Sequence, residues 1–196
     1  MADTGGLLPG YDALVVGVST GGINALRKIV PFLSVRLRLP VIVVQHLHPE
    51  GGNYPVRALR GLSALRVKEA EDGEIAVPGH VYIAPPGKHL LVKNGGMLTF
   101  FRGRPVNFAR PSIDLLFAAA SRVYGERLMG LILTGANKDG SLGLKRVGER
   151  GGLTLVQEPG TAEADSMPRS ALRAARVDHV LTLENIAPFI NAVAGG

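Results

Sequence analysis

Short β-branched runs alternate along this chain with longer stretches whose apolar residues recur at helical spacing, and this alternation constrains the fold more than any other feature. It is the signature of strand–helix–strand units wound around a parallel sheet. Residues 13–18 read as a buried strand, and Ile23, Leu26, Val30 and Leu33 beyond the Ser19–Gly22 turn read as one face of a helix. Residues 41–44 read as a second buried strand that ends at Gln45-His46. Both strands are apolar at successive positions, as expected where each face of a sheet is covered. Residues 79–86 predict a short strand closed by two prolines, and the runs on either side of Asn94-Gly95-Gly96 predict a hairpin, a flap or an antiparallel edge. Then the alternation resumes: a helix opened by Pro111-Ser112, a strand over 128–133, a helix over 141–150, a strand over 153–156, a helix over 168–175, a strand over 180–183 and a closing helix. The expected class is α/β, a modified doubly wound and mostly parallel sheet flanked by helices, with an antiparallel β-hairpin.

A length of 196 residues suits one domain, expected over 11–196 with a flexible N-terminus over 1–10. Residues 1–10 lack a basic region followed by an apolar one, so no secretory signal is expected, and no apolar run approaches the ~20 residues that span a bilayer. The absence of cysteine excludes disulfides, thiolate–zinc sites and a cysteine nucleophile, and it is compatible with a cytoplasmic setting. A net charge of +6 favours acidic partners. Nucleic acid is not the expected one, because the basic residues are scattered and aromatic residues make up only 5%.

In an open parallel sheet, ligands bind beyond the carboxyl ends of the strands, where the strand order reverses. Three turns that leave predicted strands carry polar residues suited to chemistry: Gly17-Val18-Ser19-Thr20-Gly21-Gly22, then Gln45-His46-Leu47-His48-Pro49, then Thr134-Gly135-Ala136-Asn137-Lys138-Asp139-Gly140. A serine hydroxyl becomes a nucleophile when a base takes its proton. A histidine titrates near neutrality and can accept and return that proton, and a carboxylate fixes the tautomer of the imidazole. Glycines around Ser19 permit a tight turn that exposes the hydroxyl, in a G-x-S-x-G pattern. Taken singly, the Ser19 turn reads more often as a plain turn or a phosphate cradle, His46 usually as a structural histidine and Asp139 most often as a turn residue or helix cap. Together they supply complementary roles at one sheet edge.

Rival readings of the first turn fare poorly. Ser19 replaces the middle glycine of a dinucleotide-binding turn, and no Lys-Ser or Lys-Thr pair follows as a P-loop requires. The α/β-hydrolase order would need Ser19, Asp139 and His179, but its nucleophile follows several earlier elements, whereas Ser19 follows the first strand with almost nothing before it. His46, His48 and Glu50 lack a further clear ligand, so no metal or cofactor site is expected. His80 and His89, on either side of the expected flap, read as surface or loop histidines.

The turns lie within a longer pattern that resembles the catalytic domain of the chemotaxis receptor methylesterase, the CheB family. It includes Val44-Gln45-His46, Pro78-Gly79-His80-Val81-Tyr82-Ile83-Ala84-Pro85-Pro86-Gly87, Arg110-Pro111-Ser112-Ile113-Asp114-Leu115-Leu116-Phe117, Gln157-Glu158 and Met167-Pro168-Arg169. The resemblance implies a Ser19, His46 and Asp139 triad, with Thr20, Gly21, Ala136, Asn137 and Gln45 as oxyanion or substrate-binding residues. It implies hydrolysis of glutamyl methyl esters on the cytoplasmic helices of chemoreceptors, release of methanol, and deamidation of receptor glutamines by some members. It also implies the isolated catalytic half, with any phosphorylatable receiver supplied as a separate protein, and no insertion into the membrane. Two positions depart from the family pattern: Ala136-Asn137 stands where Met-Gly is usual, and Ser166 stands where glycine is usual. Asn137 is expected to serve there by tolerating positive φ. The remaining alternatives are a related serine esterase or amidase with another substrate, and a receptor-binding homologue without activity.

Overall fold

A computed structural model describes residues 10–47 and 52–195. In chain order the elements are β1 (Ala13–Val18), α1 (Gly22–Ile29), β2 (Val41–Gln45), α2 (Tyr54–Leu59), β3 (Arg66–Glu69), β4 (His80–Ile83), β5 (His89–Lys93), β6 (Met97–Phe101), α3 (Ile113–Tyr124), β7 (Leu128–Ile132), α4 (Ser141–Glu149), β8 (Leu153–Gln157), α5 (Ser166–Ala174), β9 (His179–Leu181) and α6 (Leu183–Ala194). Seven strands form one sheet in the order β3-β4-β2-β1-β7-β8-β9, and every pairing in it is parallel.

The two-residue period of a strand divides the core between the faces of this sheet. On β1, Leu14, Val16 and Val18 join the core that holds Leu26 and Ile29 of α1 and Ile186 and Ile190 of α6. Ala13 and Val15 face the opposite core, which holds Ile113 and Phe117 of α3, Leu144 of α4 and Met167 of α5. Burial on both faces explains why β1 and β7 are apolar throughout and why β2 is apolar up to Gln45.

The hairpin forms its own two-stranded antiparallel sheet, in which Leu91 pairs with Thr99, and it is not an edge of the main sheet. Leu90, Val92 and Leu98 pack it into the same core as α3. Two elements lie outside the sequence expectation. β3 is a four-residue edge strand that carries Arg66, Lys68 and Glu69, and α2 has only six residues, so neither displays a readable period. The last strand ends at Leu181 rather than at residue 183, because Thr182 caps α6 and Leu183 begins it. α5 begins at Ser166, ahead of the expected Pro168, since proline is tolerated in a first turn.

His89 corrects the expectation of a surface or loop histidine: it lies on β5 and is fully buried. Its Nδ1 accepts from the Ser112 N–H at 3.1 Å, so Nε2 bears the proton and donates to Arg104 O at 3.0 Å. No helix among the described residues is long and apolar enough to cross a membrane. Residues 1–9 of the expected N-terminal segment, and His48 and Glu50 of the weighed metal reading, lie outside the described residues.

Candidate active site

β1 sits at the centre of the sheet, with β2 on one side and β7 on the other. The chain leaves the carboxyl ends of these three neighbours through the turns that hold Ser19, His46 and Asp139, and this is the switch-point crevice of a doubly wound sheet.

Ser19 follows β1 directly. Its N–H donates to Thr134 O and its carbonyl accepts from the Gly22 N–H, both at 2.9 Å. Gly21 completes the turn at φ 74°, in the left-handed region that a side chain resists. Its neighbour across the cleft, Gly135, is needed for close approach: a Cβ there would meet Ser19 Cβ at 2.9 Å and also run into Met167 Sδ. The buried Gln45 amide ties two turns together, since Nε2 donates to Ser19 O and to His46 O at 2.9 Å each. Gln45 thus supports the site from beneath, with its side chain engaged by backbone.

His46 Nε2 lies 2.9 Å from Asp139 Oδ2. A nitrogen that faces a carboxylate carries the proton, which leaves the Nδ1 lone pair for the cleft. Ser19, His46 and Asn137 line one cavity of about 350 Å³, together with residues of the 105–111 segment. No hydrogen bond joins Ser19 Oγ to His46 among the described residues; instead Asn137 Nδ2 lies 3.2 Å from Nδ1. Asn137 Oδ1 accepts from the Asp139 N–H at 3.0 Å, which turns its NH₂ toward the imidazole. Asn137 is not among the residues at positive φ, so its side chain, and not backbone tolerance, is what it contributes.

Asp139 is completely buried and accepts from five groups. Besides His46, these are the Ile113 N–H at 2.7 Å, Ser112 Oγ at 3.0 Å, Asn107 Nδ2 at 3.1 Å and the Asp114 N–H at 3.2 Å. The carboxylate therefore sits at the N-terminus of the twelve-residue α3, where free N–H groups and the helix dipole favour an anion. Burial pushes its pKa up, but the bonds from His46, Asn107 and Ile113 and the charge of His46 outweigh it and hold the carboxyl below its ordinary range. Asp114 goes the other way. Burial raises it and the Asp139 charge adds to the rise, against N–H bonds from Gly143 at 2.6 Å and Asn107 at 2.8 Å.

The N–H groups of Thr20, Gly21 and Ala136 donate to no acceptor within the described residues, and these residues adjoin Ser19 and the Asn137 loop. Thr134 braces this side, donating to Thr20 O at 2.8 Å and accepting from the Ala164 N–H at 2.9 Å. Sequence reasoning missed Asn107 altogether and assigned no role to Ser112, Asp114 or His89. Pro111-Ser112 was legible as a helix start, and the anion-binding capacity of such a start is the signal that points to Asp139; Asn107 has no counterpart in periodicity or spacing.

A parallel sheet that carries a serine and an acid-held histidine at its switch point defines an α/β domain of the hydrolase type. The CheB methylesterase family model matches residues 14–190, and the chain belongs to that family. A Leptospira interrogans protein, provisionally named protein-glutamate methylesterase/protein-glutamine glutaminase, is 50% identical over 90% of this chain and 92% of its own length. A Moorella thermoacetica protein of that name, without the proviso, is 40% identical over 97% of this chain, and the match spans only 46% of the relative's length. The crystal structure of the Thermotoga maritima CheB methylesterase catalytic domain superposes with a TM-score of 0.89 at 35% identity, over 93% of this chain and 98% of that one.

Proposed function

We propose that this chain removes methyl esters from glutamyl side chains of methyl-accepting chemoreceptors and releases methanol, and that the same site deamidates glutaminyl side chains. The reading places the protein beside the cytoplasmic helices of those receptors, with residues 11–196 as the catalytic unit and with regulation by a separate receiver protein. The observation that carries it is the His46 ring, bonded through Nε2 to the buried Asp139 and lining the same cavity as Ser19. The names of the protein-glutamate methylesterase/protein-glutamine glutaminase relatives support the substrate class.

In this reaction Ser19 Oγ attacks the ester carbonyl as its proton passes to His46 Nδ1. The oxyanion of the tetrahedral intermediate is received by the free N–H groups near Thr20, Gly21 and Ala136. The imidazolium, balanced by Asp139, gives its proton to the departing methoxide, which leaves as methanol. Water then attacks the acyl-serine with His46 again as base, releasing the glutamate and restoring the Ser19 hydroxyl. An amide follows the same course with ammonia as leaving group.

The test is methanol release from a methylated chemoreceptor cytoplasmic fragment. Wild type is expected to release it, and Ser19→Ala or His46→Ala to lower the rate by about 10⁴- to 10⁶-fold. Substantial activity in Ser19→Ala ends the serine mechanism. Turnover of generic esters without release from the receptor fragment moves the chain to a related esterase, and binding without turnover makes it a receptor-binding homologue.

A further inference from the structure

Val106 and Ala109 exchange backbone hydrogen bonds of 3.0 and 2.9 Å, closing a two-residue turn over Asn107 and Phe108. Both central residues have positive φ, 50° and 62°, and they are the only non-glycine residues among those described that do. Turns of this kind favour Asn-Gly, because glycine carries no Cβ to crowd the left-handed region. Asn107 fits the first position. Phe108 breaks the rule at the second, and its side chain is fully exposed.

Neither the strain nor the exposure gains anything for the folded chain. A local rule broken without compensation inside the fold is where function is to be sought. The place of Phe108 supports this. It lines the cavity of Ser19 and His46 and also a neighbouring cavity of about 870 Å³, so it stands on the ridge between them. Arg104 and Lys138 line the second cavity, Arg110 lines the first, and no carboxylate lines either. The ridge is not free to drift. Asn107 Nδ2 donates to Asp114 Oδ2 at 2.8 Å and to Asp139 Oδ1 at 3.1 Å, which anchors the turn to the carboxylate that holds His46.

We propose that Phe108 is a specificity-determining residue, an apolar anchor that seats the polypeptide segment carrying the glutamyl side chain, with the surrounding cations facing acidic neighbours on that segment. This deepens the proposed function and rests on it for the identity of the occupant. A side chain delivered on a protein brings a backbone and flanking residues to the rim of the cleft, and Phe108 is the exposed apolar group placed to meet them. A small ester brings no backbone or flanking residues to engage it.

Phe108→Gly tests this, because glycine suits the turn and keeps the fold. The melting temperature is expected to stay level or rise, as at other sites where stability has been given up for function. The KM for a methylated receptor fragment, and the Kd of that fragment for the same substitution made in Ser19→Ala, are expected to rise about tenfold, the size of loss typical of an apolar anchor. Hydrolysis of p-nitrophenyl acetate is expected to fall by no more than about threefold, because uniform binding of the remote segment is what is lost. Phe108→Tyr is expected to recover the wild-type KM. Equal losses on protein and small ester would make Phe108 part of the cleft wall and overturn the anchor, as would a wild-type chain that dimerises through Phe108 in sedimentation. Methanol release with KM and Kd within about twofold of wild type overturns the anchor alone. Binding that depends on Phe108 without methanol release overturns the reaction and leaves the anchor, and the absence of both overturns both.

Discussion

Asn137 Nδ2 lies 3.2 Å from His46 Nδ1, on the ring nitrogen opposite the one that bonds Asp139. In the proposed reaction that lone pair takes the Ser19 proton, so the Ser19 hydroxyl would have to displace the amide before each attack. The residue stands where the family pattern usually has glycine, which has no side chain to compete. Asn137→Gly is expected to raise the turnover number by about three- to tenfold, the worth of one net hydrogen bond. Single-turnover acylation with a small ester measures it. A fall of similar size would mean that the amide aligns the imidazole instead of blocking it.

Asp139 concentrates more bonding than any other side chain in the site, and its five donors come from the α3 N-terminus, Asn107 and His46. Asp139→Ala leaves the Ile113 and Asp114 N–H groups and the Ser112 hydroxyl without this acceptor, while Asn107 keeps Asp114. The expected cost is about 1–3 kcal/mol in urea unfolding, the range for buried donors left unpaired. Asp139→Asn keeps the shape and loses the charge, and its turnover is expected to drop about 10⁴-fold because the wrong tautomer of His46 is favoured. An unfolding midpoint for Asp139→Ala equal to that of wild type would contradict the hydrogen-bond account.

The two neighbouring carboxyls titrate in opposite directions. Asp139 has a folded pKa below its unfolded value of about 3.9, so its contribution to stability is full above that value and is lost as pH falls through the lower folded one. Asp114 has a folded pKa above its unfolded value, so its contribution is full below about 3.9 and is lost as pH rises through the raised one. Carbon-13 titration of the carboxyls is expected to show Asp114 protonating first as pH falls and Asp139 last. Asp114→Asn is expected to reduce the loss of stability as pH rises above about 4. Simultaneous titration of the two groups would refute the assignment.

Gln45 fastens the turn of the nucleophile to the turn of the base through two bonds of 2.9 Å. Gln45→Met fills a similar volume and leaves the Ser19 and His46 carbonyls without this donor. Ser19 O keeps its bond from the Gly22 N–H, so the expected loss is about 0.5–1.5 kcal/mol of stability, the net worth of a hydrogen bond, with a lower turnover number from a loosened cleft. Thermal unfolding and methanol release measure the two effects. A variant unchanged in both would show that the turns hold themselves.

Legibility followed period and burial. β1, β2, β7 and β8 are buried, predominantly apolar strands of five or six residues, and their positions were read to within a residue or two. The edge strand β3 pairs on one side only and carries three charged side chains, so it shows none of that signal. His89 looked like a loop residue because nothing in its neighbours announces that α3 closes over β5. Ser19, His46 and Asp139 were legible because each falls where the chain leaves a strand of one parallel sheet.

By itself the sequence determined the parallel α/β class, the three polar turns and the order in which they leave the sheet, because strand burial and turn chemistry are local properties written in neighbouring residues. Only the tertiary structure decided which nitrogen of His46 meets Asp139, that Asn137 covers the other, and that Asn107 grips Asp139 and Asp114 across 32 and 7 positions of chain. Those relationships are distances between side chains that the fold brings together from separate elements, and a hydrogen bond is decided by a few tenths of an ångström that no local pattern records.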